Sequence, residues 1–333
     1  AGAELAIALN IKGEHQLDLK LEGLALCAKP ERSIYLDLSQ SVAPQNKMIA
    51  EVKKMLESAT NPKIFHGLKK AVQLFANIGI ELKGIDSDVM LAAHLADPLA
   101  RRYDLEYLLG RKLNLRRKTL ESAEVAQKES QLSMFDEADI EDQNEYIQYC
   151  ENASFILRLH RLLSEQLKQT GMEGAFRNIE IPLAGTLAKL EQSGIRLDVG
   201  VMSKIALEFE ERLTELRQKI MELAGEEFNP NSIIELQNIL YEKLRLHERY
   251  KVKPKKIKLG NRMSTDEESL EKIAEDELPR TILDYRTINK LKNTYVDQLP
   301  TYVHQASDCI HSTFRQTGTA TGRLSSENPN LQN

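Results

Sequence analysis

The residues best suited to chemistry lie in residues 319–333, which read TATGRLSSENPNLQN. This segment combines Arg323, set after Gly322, with the amides of Asn330 and Gln332 and several hydroxyls. Arginine, asparagine and glutamine can donate to purine N3 and pyrimidine O2, acceptors that every base pair presents in the minor groove. Such contacts hold a paired duplex without reading its sequence. A polar turn followed by a Pro-Asn loop is the alternative, but it leaves the arginine and the amides unexplained.

The segment resembles the T-x-TGRLSS-x-x-PNLQN motif of the bacterial DNA polymerase I family (family A), which lies against the primer terminus at the start of the palm. The resemblance implies DNA contacts by four side chains, namely Thr321, Arg323, Asn330 and Gln332. Gly322 would let the chain approach the duplex closely, because a side chain there would occupy the space of the groove wall. Residues 285–295 are similar to the family's YR-x-x-x-KLK-x-TY segment, which implies that Arg286 and Lys290 approach DNA near the active site.

The resemblance extends through most of the chain. Residues 224–244 are similar to the family's thumb, and residues 79–91 look like the 3′–5′ exonuclease domain that precedes the polymerase domain. This implies an α/β ribonuclease H-like exonuclease domain, followed by a mainly α-helical thumb and the first part of an α+β palm. The expected boundaries are residues 1–170 for the exonuclease-like domain and 171–333 for the N-terminal part of the polymerase domain. Within the second part, we expect the thumb at residues 180–300 and the palm from residue 301.

The exonuclease-like domain lacks the metal ligands that the resemblance calls for. Proofreading relatives use a D-x-E pair on the first strand, an aspartate after the fourth strand and an aspartate on the last helix. These oxygens bind two hard divalent cations, and water on one metal attacks the phosphodiester. The resemblance puts other side chains at these positions, namely Ala8, Asn10, Ala71 and Asn152. Since methyl and amide groups cannot offset the cost of dehydrating the metal, we expect no metal site and an inactive proofreading domain.

An active 3′–5′ exonuclease is the alternative, if other carboxylates are recruited. The candidates nearby in sequence are Glu14, Asp18, Asp86, Asp88 and Glu151. They do not reproduce the D-x-E spacing on the first strand.

Net charge over the whole chain gives no argument for nucleic acid binding, because 45 Lys and Arg face 50 Asp and Glu. The charge is segregated, however, since residues 243–262 carry nine basic side chains against the single acid Glu248. A basic run in a loop-like segment suits contact with phosphates. The lysines expected to make these contacts are Lys251, Lys253, Lys255, Lys256 and Lys258. A solvated lysine-rich hairpin is the alternative.

The pattern of apolar residues predicts the elements that position these groups. Alternation predicts neighbouring strands at residues 5–11, 21–28 and 33–38, and a further strand at 63–66. Helical periodicity predicts helices at residues 47–58, 68–77, 88–96 and 144–169. In the second half, Asp198 is expected to cap a long helix. The acid-rich stretch at residues 121–142 is expected to be a solvated loop and not a metal site.

The cysteines and the apolar runs bear on the cellular location. Cys27, Cys150 and Cys309 are widely spaced and match neither a disulfide framework nor a zinc site. The sequence has no signal-peptide pattern and no apolar run of bilayer length. We therefore expect a cytoplasmic protein with no membrane partner, and the resemblance implies a monomer associated with the nucleoid.

The resemblance implies a DNA-directed DNA polymerase, a nucleotidyltransferase of replication and repair that needs Mg²⁺ in its complete form. The family's palm aspartates and fingers helix, which serve the metals and the deoxynucleoside triphosphate, would follow residue 333. We therefore expect a fragment that binds primer-template DNA, holds no cofactor itself and incorporates no nucleotide alone. A non-catalytic DNA-binding module is a further alternative beside the active exonuclease.

Overall fold

The computed structural model describes residues 3–39, 47–115, 137–253, 255 and 263–332, with residues 137–145 described by their backbone alone. The chain forms two compact units. The first comprises Ala1–Gly194 and His311–Asn333, and the second comprises Ile195–Ile310. The sequence-based division at residue 170 follows different boundaries and stays a prediction.

A five-stranded sheet forms the centre of the first unit. Its strands are β1 (Leu5–Lys12), β2 (Lys20–Lys29), β3 (Arg32–Asp37), β4 (Lys63–Phe65) and β5 (Ile85–Asp88). The order is β3-β2-β1-β4-β5; β1 to β3 are antiparallel, whereas β4 and β5 continue parallel to β1. The first four match the predicted strands closely. Strand β5 was not predicted, because its sequence IDSD carries no apolar alternation.

Helices pack around this sheet. They are α1 (Lys47–Glu57), α2 (Leu68–Asn77), α3 (Val89–Ala96), α4 (Leu105–Leu113), α5 (Glu137–Gln169) and α6 (Ile181–Ser193). The core is apolar and includes fully buried Leu24, Ile64, Leu74 and Leu157. The predicted helices are present, and α5 begins earlier than its periodicity indicated. Helix α4 was not predicted; Asp104 caps it by accepting from the Tyr107 amide at 3.0 Å.

A β-hairpin completes the first unit. Strand β9 (Thr313–Arg315) pairs antiparallel with β10 (Ser325–Glu327), so that Phe314 lies opposite Ser326. The hairpin connection carries Arg323.

The second unit is mainly helical. Its long helices are α7 (Val199–Ala224) and α11 (Glu277–Leu291), which pack on each other, and its short ones are α8 (Ile233–Gln237), α9 (Leu246–Arg249) and α10 (Glu267–Glu271). Asp198 caps α7 by accepting from the Val201 amide at 2.9 Å, which confirms the predicted cap. Short strands β6 (Ile195–Arg196), β7 (Val303–His304) and β8 (Cys309–Ile310) form an antiparallel sheet in the order β6-β8-β7. Within the described ranges, no helix has both the length and the apolar character that a membrane span requires.

Candidate nucleic-acid interface and the expected metal-ligand positions

Buried serines fix the hairpin that carries the candidate interface. The Ser326 hydroxyl, almost fully buried, accepts from the Leu331 amide at 3.0 Å and lies 2.8 Å from the Ser312 hydroxyl. Ser312 donates to the Pro329 carbonyl at 2.7 Å. These bonds tie the segment after β10 back onto the hairpin. A serine hydroxyl both donates and accepts hydrogen bonds. Ser312 and Ser326 can therefore each hold more than one buried polar group.

Two glycines shape the connection between β9 and β10, for different reasons. Gly322 has φ +76°, a conformation that glycine adopts without steric cost, and a Cβ there would meet no atom within 4 Å. A Cβ on Gly318 would lie 1.9 Å from the Ser325 hydroxyl. The close packing inside the hairpin therefore falls at Gly318, whereas Gly322 sets the backbone direction. The expected close approach of Gly322 to a duplex stays a prediction.

The interface side chains are exposed but differ in their internal bonds. The Gln332 amide donates to the Leu324 carbonyl at 3.0 Å, and the Asn330 side-chain oxygen accepts from the Gln332 backbone at 2.9 Å. Thr321 and Arg323 are exposed, and the guanidinium of Arg323 makes no hydrogen bond or ion pair to any residue in the described ranges. The two amides thus help to shape the loop, while Arg323 presents an exposed cation.

Arg286 and Lys290 lie on α11 in the second unit and have different surroundings. Arg286 is half-buried, and its guanidinium donates to the Thr265 carbonyl. Burial lowers its pKa, against the opposing effects of Tyr241 and Asp266. Lys290 is exposed. Arg286 therefore has a packing role inside this unit, and its contact with DNA stays a prediction.

The basic run of the second unit is only partly described. Lys251 and Lys253 are exposed, and Lys251 has φ +54°. Lys255 is also exposed, with its ammonium 3.6 Å from the Glu268 carboxylate. Lys256 and Lys258 lie outside the described residues. A surface pair of this kind contributes little energy. Contact of these lysines with phosphates stays a prediction.

The four expected metal-ligand positions lie in the first unit and offer no carboxylate. Ala8 and Asn10 are buried on β1, Ala71 is fully buried on α2, and Asn152 is half-buried on α5. The side chains of alanine offer no metal ligand, and neutral amides lack the charge that hard divalent cations prefer. These residue types do not fit a two-metal site.

Two tyrosines that sequence reasoning missed hold the buried amide of Asn10. Its nitrogen donates to the Tyr35 hydroxyl at 3.1 Å, and its oxygen accepts from the Tyr149 hydroxyl at 3.1 Å. Tyr35 stacks on Tyr146 with ring centroids 4.5 Å apart. Burial is the largest cause that raises the pKa of Tyr35 to about 12. A polar residue within an apolar strand signals a buried partner, but the strand alone does not identify it.

The nearest alternative carboxylates already have structural partners. Asp88 is buried and accepts from the amides of Leu68 at 2.7 Å and Met90 at 2.8 Å, so it caps both α2 and α3. Asp86 pairs with Arg177 at 2.9 Å. The other three candidates are exposed, namely Glu14, Asp18 and Glu151.

Four of these five carboxylates do not assemble a metal site. Within the described ranges, Asp86, Asp88, Glu14 and Glu151 belong to no group of three side chains whose ligand atoms lie close enough to share a cation.

Comparisons with known proteins bear on both halves of the chain. A family model described as DNA polymerase family A matches residues 200–333, and one described as DNA polymerase I, ribonuclease H-like domain, matches residues 7–116. The chain is 32% identical to DNA polymerase I of Pseudomonas aeruginosa over 322 residues, which is 93% of this chain and 34% of the relative. It is 31% identical to DNA polymerase I of Geobacillus stearothermophilus over 329 residues, 98% of this chain and 35% of the relative.

Solved structures give a consistent result. The chain superposes on the POL domain of Pol1 from M. smegmatis, in complex with DNA primer-template and dNTP, with a TM-score of 0.82 and 27% identity. The superposition covers 100% of this chain and 52% of that one. The ribonuclease H-like prediction for the first domain and the helical prediction for the following region are confirmed. The chain spans about a third of the length of these two curated relatives.

Proposed function

Since this chain belongs to the DNA polymerase I family (family A), we propose that it holds primer-template DNA for a DNA-directed DNA polymerase of replication and repair. The main support is that the guanidinium of Arg323 is exposed, whereas the neighbouring side chains of Asn330 and Gln332 make hydrogen bonds within the loop. Exposed Lys251 and Lys253 in the second unit would contact phosphates. Such contacts require positive charge and do not depend on the base sequence.

Arg323 suits the minor groove at a primer terminus. A guanidinium carries several donors in a fixed plane, and the purine N3 and pyrimidine O2 acceptors occupy nearly the same place in every pair. A mismatch moves these acceptors. The contact therefore favours a correctly paired terminus over a mismatched one while accepting any sequence, as template copying requires.

We propose that the expected exonuclease positions of the first unit hold no metal. Polymerases of family A use divalent metal ions, and on these family grounds the complete polymerase would use Mg²⁺ and deoxynucleoside triphosphates. The alanines and amides at the exonuclease positions, together with the capping role of Asp88, favour a vestigial proofreading domain over an active 3′–5′ exonuclease. A monomeric state and a cytoplasmic, nucleoid-associated location complete the proposal on family grounds.

Fluorescence anisotropy with a labelled primer-template duplex tests the proposal. Arg323→Ala should weaken binding about tenfold, the effect of losing one charge-assisted hydrogen bond of about 1.5 kcal/mol. The loss should shrink when the primer terminus is mismatched. Arg32→Ala, which removes an exposed arginine from the edge strand β3, is the matched control. Equal affinities of the two variants for the paired duplex would refute the role of Arg323.

A further inference from the structure

The segment that leads to Arg323 is held by side chains from three elements of the first unit. Gln16, in the turn between β1 and β2, donates to the His311 carbonyl at 3.2 Å. Lys69 on α2 donates to the Phe314 carbonyl. His94 on α3 places Nε2 3.0 Å from the Thr319 carbonyl. Because a carbonyl oxygen only accepts, Nε2 of His94 carries the proton in this contact.

A buried carboxylate organises these contacts. Glu191 on α6 has only 1% of its side chain exposed; it pairs with the Lys69 ammonium at 2.5 Å and accepts from the Phe314 amide at 2.7 Å. Gln73, one turn after Lys69 on α2, donates to its second oxygen. A buried charge requires such partners, and their number fixes the geometry of the group. Lys69 and Glu191 together bind both backbone groups of Phe314.

A second set of hydrogen bonds leads from α3 to the proposed DNA contact. His94 holds the carbonyl of Thr319, and the hydroxyl of Thr319 donates to the carbonyl of Arg323 at 2.7 Å. The Arg323 backbone is therefore fixed by a residue that α3 holds in turn. The guanidinium remains exposed. These hydrogen bonds therefore fix the backbone position of Arg323 and leave its side-chain donors available.

We propose that Lys69, His94 and Glu191 are positioning residues for Arg323. The α/β domain, whose metal-ligand positions hold alanine and amide side chains, thus retains a role as the holder of the hairpin that meets the primer terminus. This inference rests on the proposed function of Arg323 and adds the residues through which the exonuclease-like domain serves it. A domain with alanine and amide side chains at the expected metal-ligand positions would thus have a use for this specific polar network.

A double-mutant cycle on primer-template affinity tests the inference, with anisotropy of a labelled paired duplex as the readout. Lys69→Met should weaken binding about tenfold, whereas Lys70→Met, which changes the exposed neighbour on the same helix, should leave it unchanged. In the Arg323→Ala background, Lys69→Met should cause little further loss. A lysine that only stabilises the fold would give the same factor in both backgrounds. Thermal unfolding of each variant ensures that binding is measured on folded protein.

His94 provides a second cycle if Lys69→Met fails to fold. His94→Phe should weaken binding and couple to Arg323, and His94→Gln, which keeps a donor, should recover part of the affinity. Additive losses in both cycles, or equal affinities of Lys69→Met and Lys70→Met beside a weakened Arg323→Ala, would overturn the positioning role alone. An Arg323→Ala variant with undiminished affinity would instead remove the proposed function on which the inference rests.

Discussion

The Tyr149 hydroxyl donates a hydrogen bond to the side-chain oxygen of Asn10 at 3.1 Å, across 139 residues of sequence. Tyr35 accepts from the nitrogen of the same amide at 3.1 Å. Asn10 holds one of the two first-strand positions where the family resemblance calls for a carboxylate. A neutral, hydrogen-bonded network therefore surrounds a position that would bear negative charge in a metal site.

Removal of the Tyr149 hydroxyl should destabilise the protein. Tyr149→Phe leaves the Asn10 oxygen without this donor in a buried place, which costs about 1 kcal/mol of unfolding free energy. Urea denaturation measures the change. Tyr107→Phe is the control, because the Tyr107 hydroxyl makes no hydrogen bond to a residue in the described part of the chain. An equal loss in both variants would argue against the Asn10 contact.

Unfolding free energy should fall as the pH rises from 10 towards 12, in part through Tyr35. Burial, aided by Asp37 and the neighbouring tyrosines against the Asn10 hydrogen bond, raises the pKa of Tyr35 from 10.0 to about 12. In this interval the unfolded chain ionises first, so the stabilisation present below pH 10 is lost as the pH approaches the folded value. Tyr35→Phe should flatten this part of the profile. In Tyr35→Phe, the phenolate absorbance titration of the folded protein should lose a component near pH 12. An unchanged titration would contradict the raised pKa of Tyr35.

The first unit should neither bind Mn²⁺ at the exonuclease positions nor degrade DNA. Electron paramagnetic resonance of added Mn²⁺ should show only the free ion, and a 3′-labelled single strand should keep its length. The physical reason is that Ala8, Asn10, Ala71 and Asn152 supply no negative charge to replace the hydration of the cation. Metal-dependent shortening that disappears in Asp86→Asn would show that another carboxylate set is recruited. Asp86 suits this control because it is not a helix cap, unlike Asp88.

Neutralising the basic run of the second unit should flatten the salt dependence of duplex binding. Five lysines are replaced by serine, at Lys251, Lys253, Lys255, Lys256 and Lys258. The slope of log affinity against log salt should then fall by roughly one unit for each phosphate that the variant no longer binds. Among the three described lysines, Lys255 should contribute least, because Glu268 lies 3.6 Å from its ammonium. The weakening should be the same for duplexes of different sequence, and an unchanged slope would identify the run as a solvated surface.

Local patterns sufficed for much of the fold. Alternation located β1 to β4, helical periodicity located α2 and α3, and Asp198 marked the start of α7. These signals depend on neighbours within a few residues, which the sequence displays directly. Strand β5 escaped because its sequence shows no apolar alternation; its last residue, buried Asp88, is polar because it caps α2 and α3.

The sequence by itself determined the family resemblance and the arginine motif, because each depends on residue identity at a known spacing. It also led to the prediction that Ala8, Asn10, Ala71 and Asn152 replace carboxylates. Only the tertiary structure decided that Tyr35 and Tyr149 hold Asn10, that Thr265 holds Arg286, and that Lys69 and Glu191 bind Phe314. Lys69 and Phe314 are 245 residues apart. Partners of buried polar groups are chosen by the packing of distant elements, and no local period in a sequence records which donor will meet which acceptor.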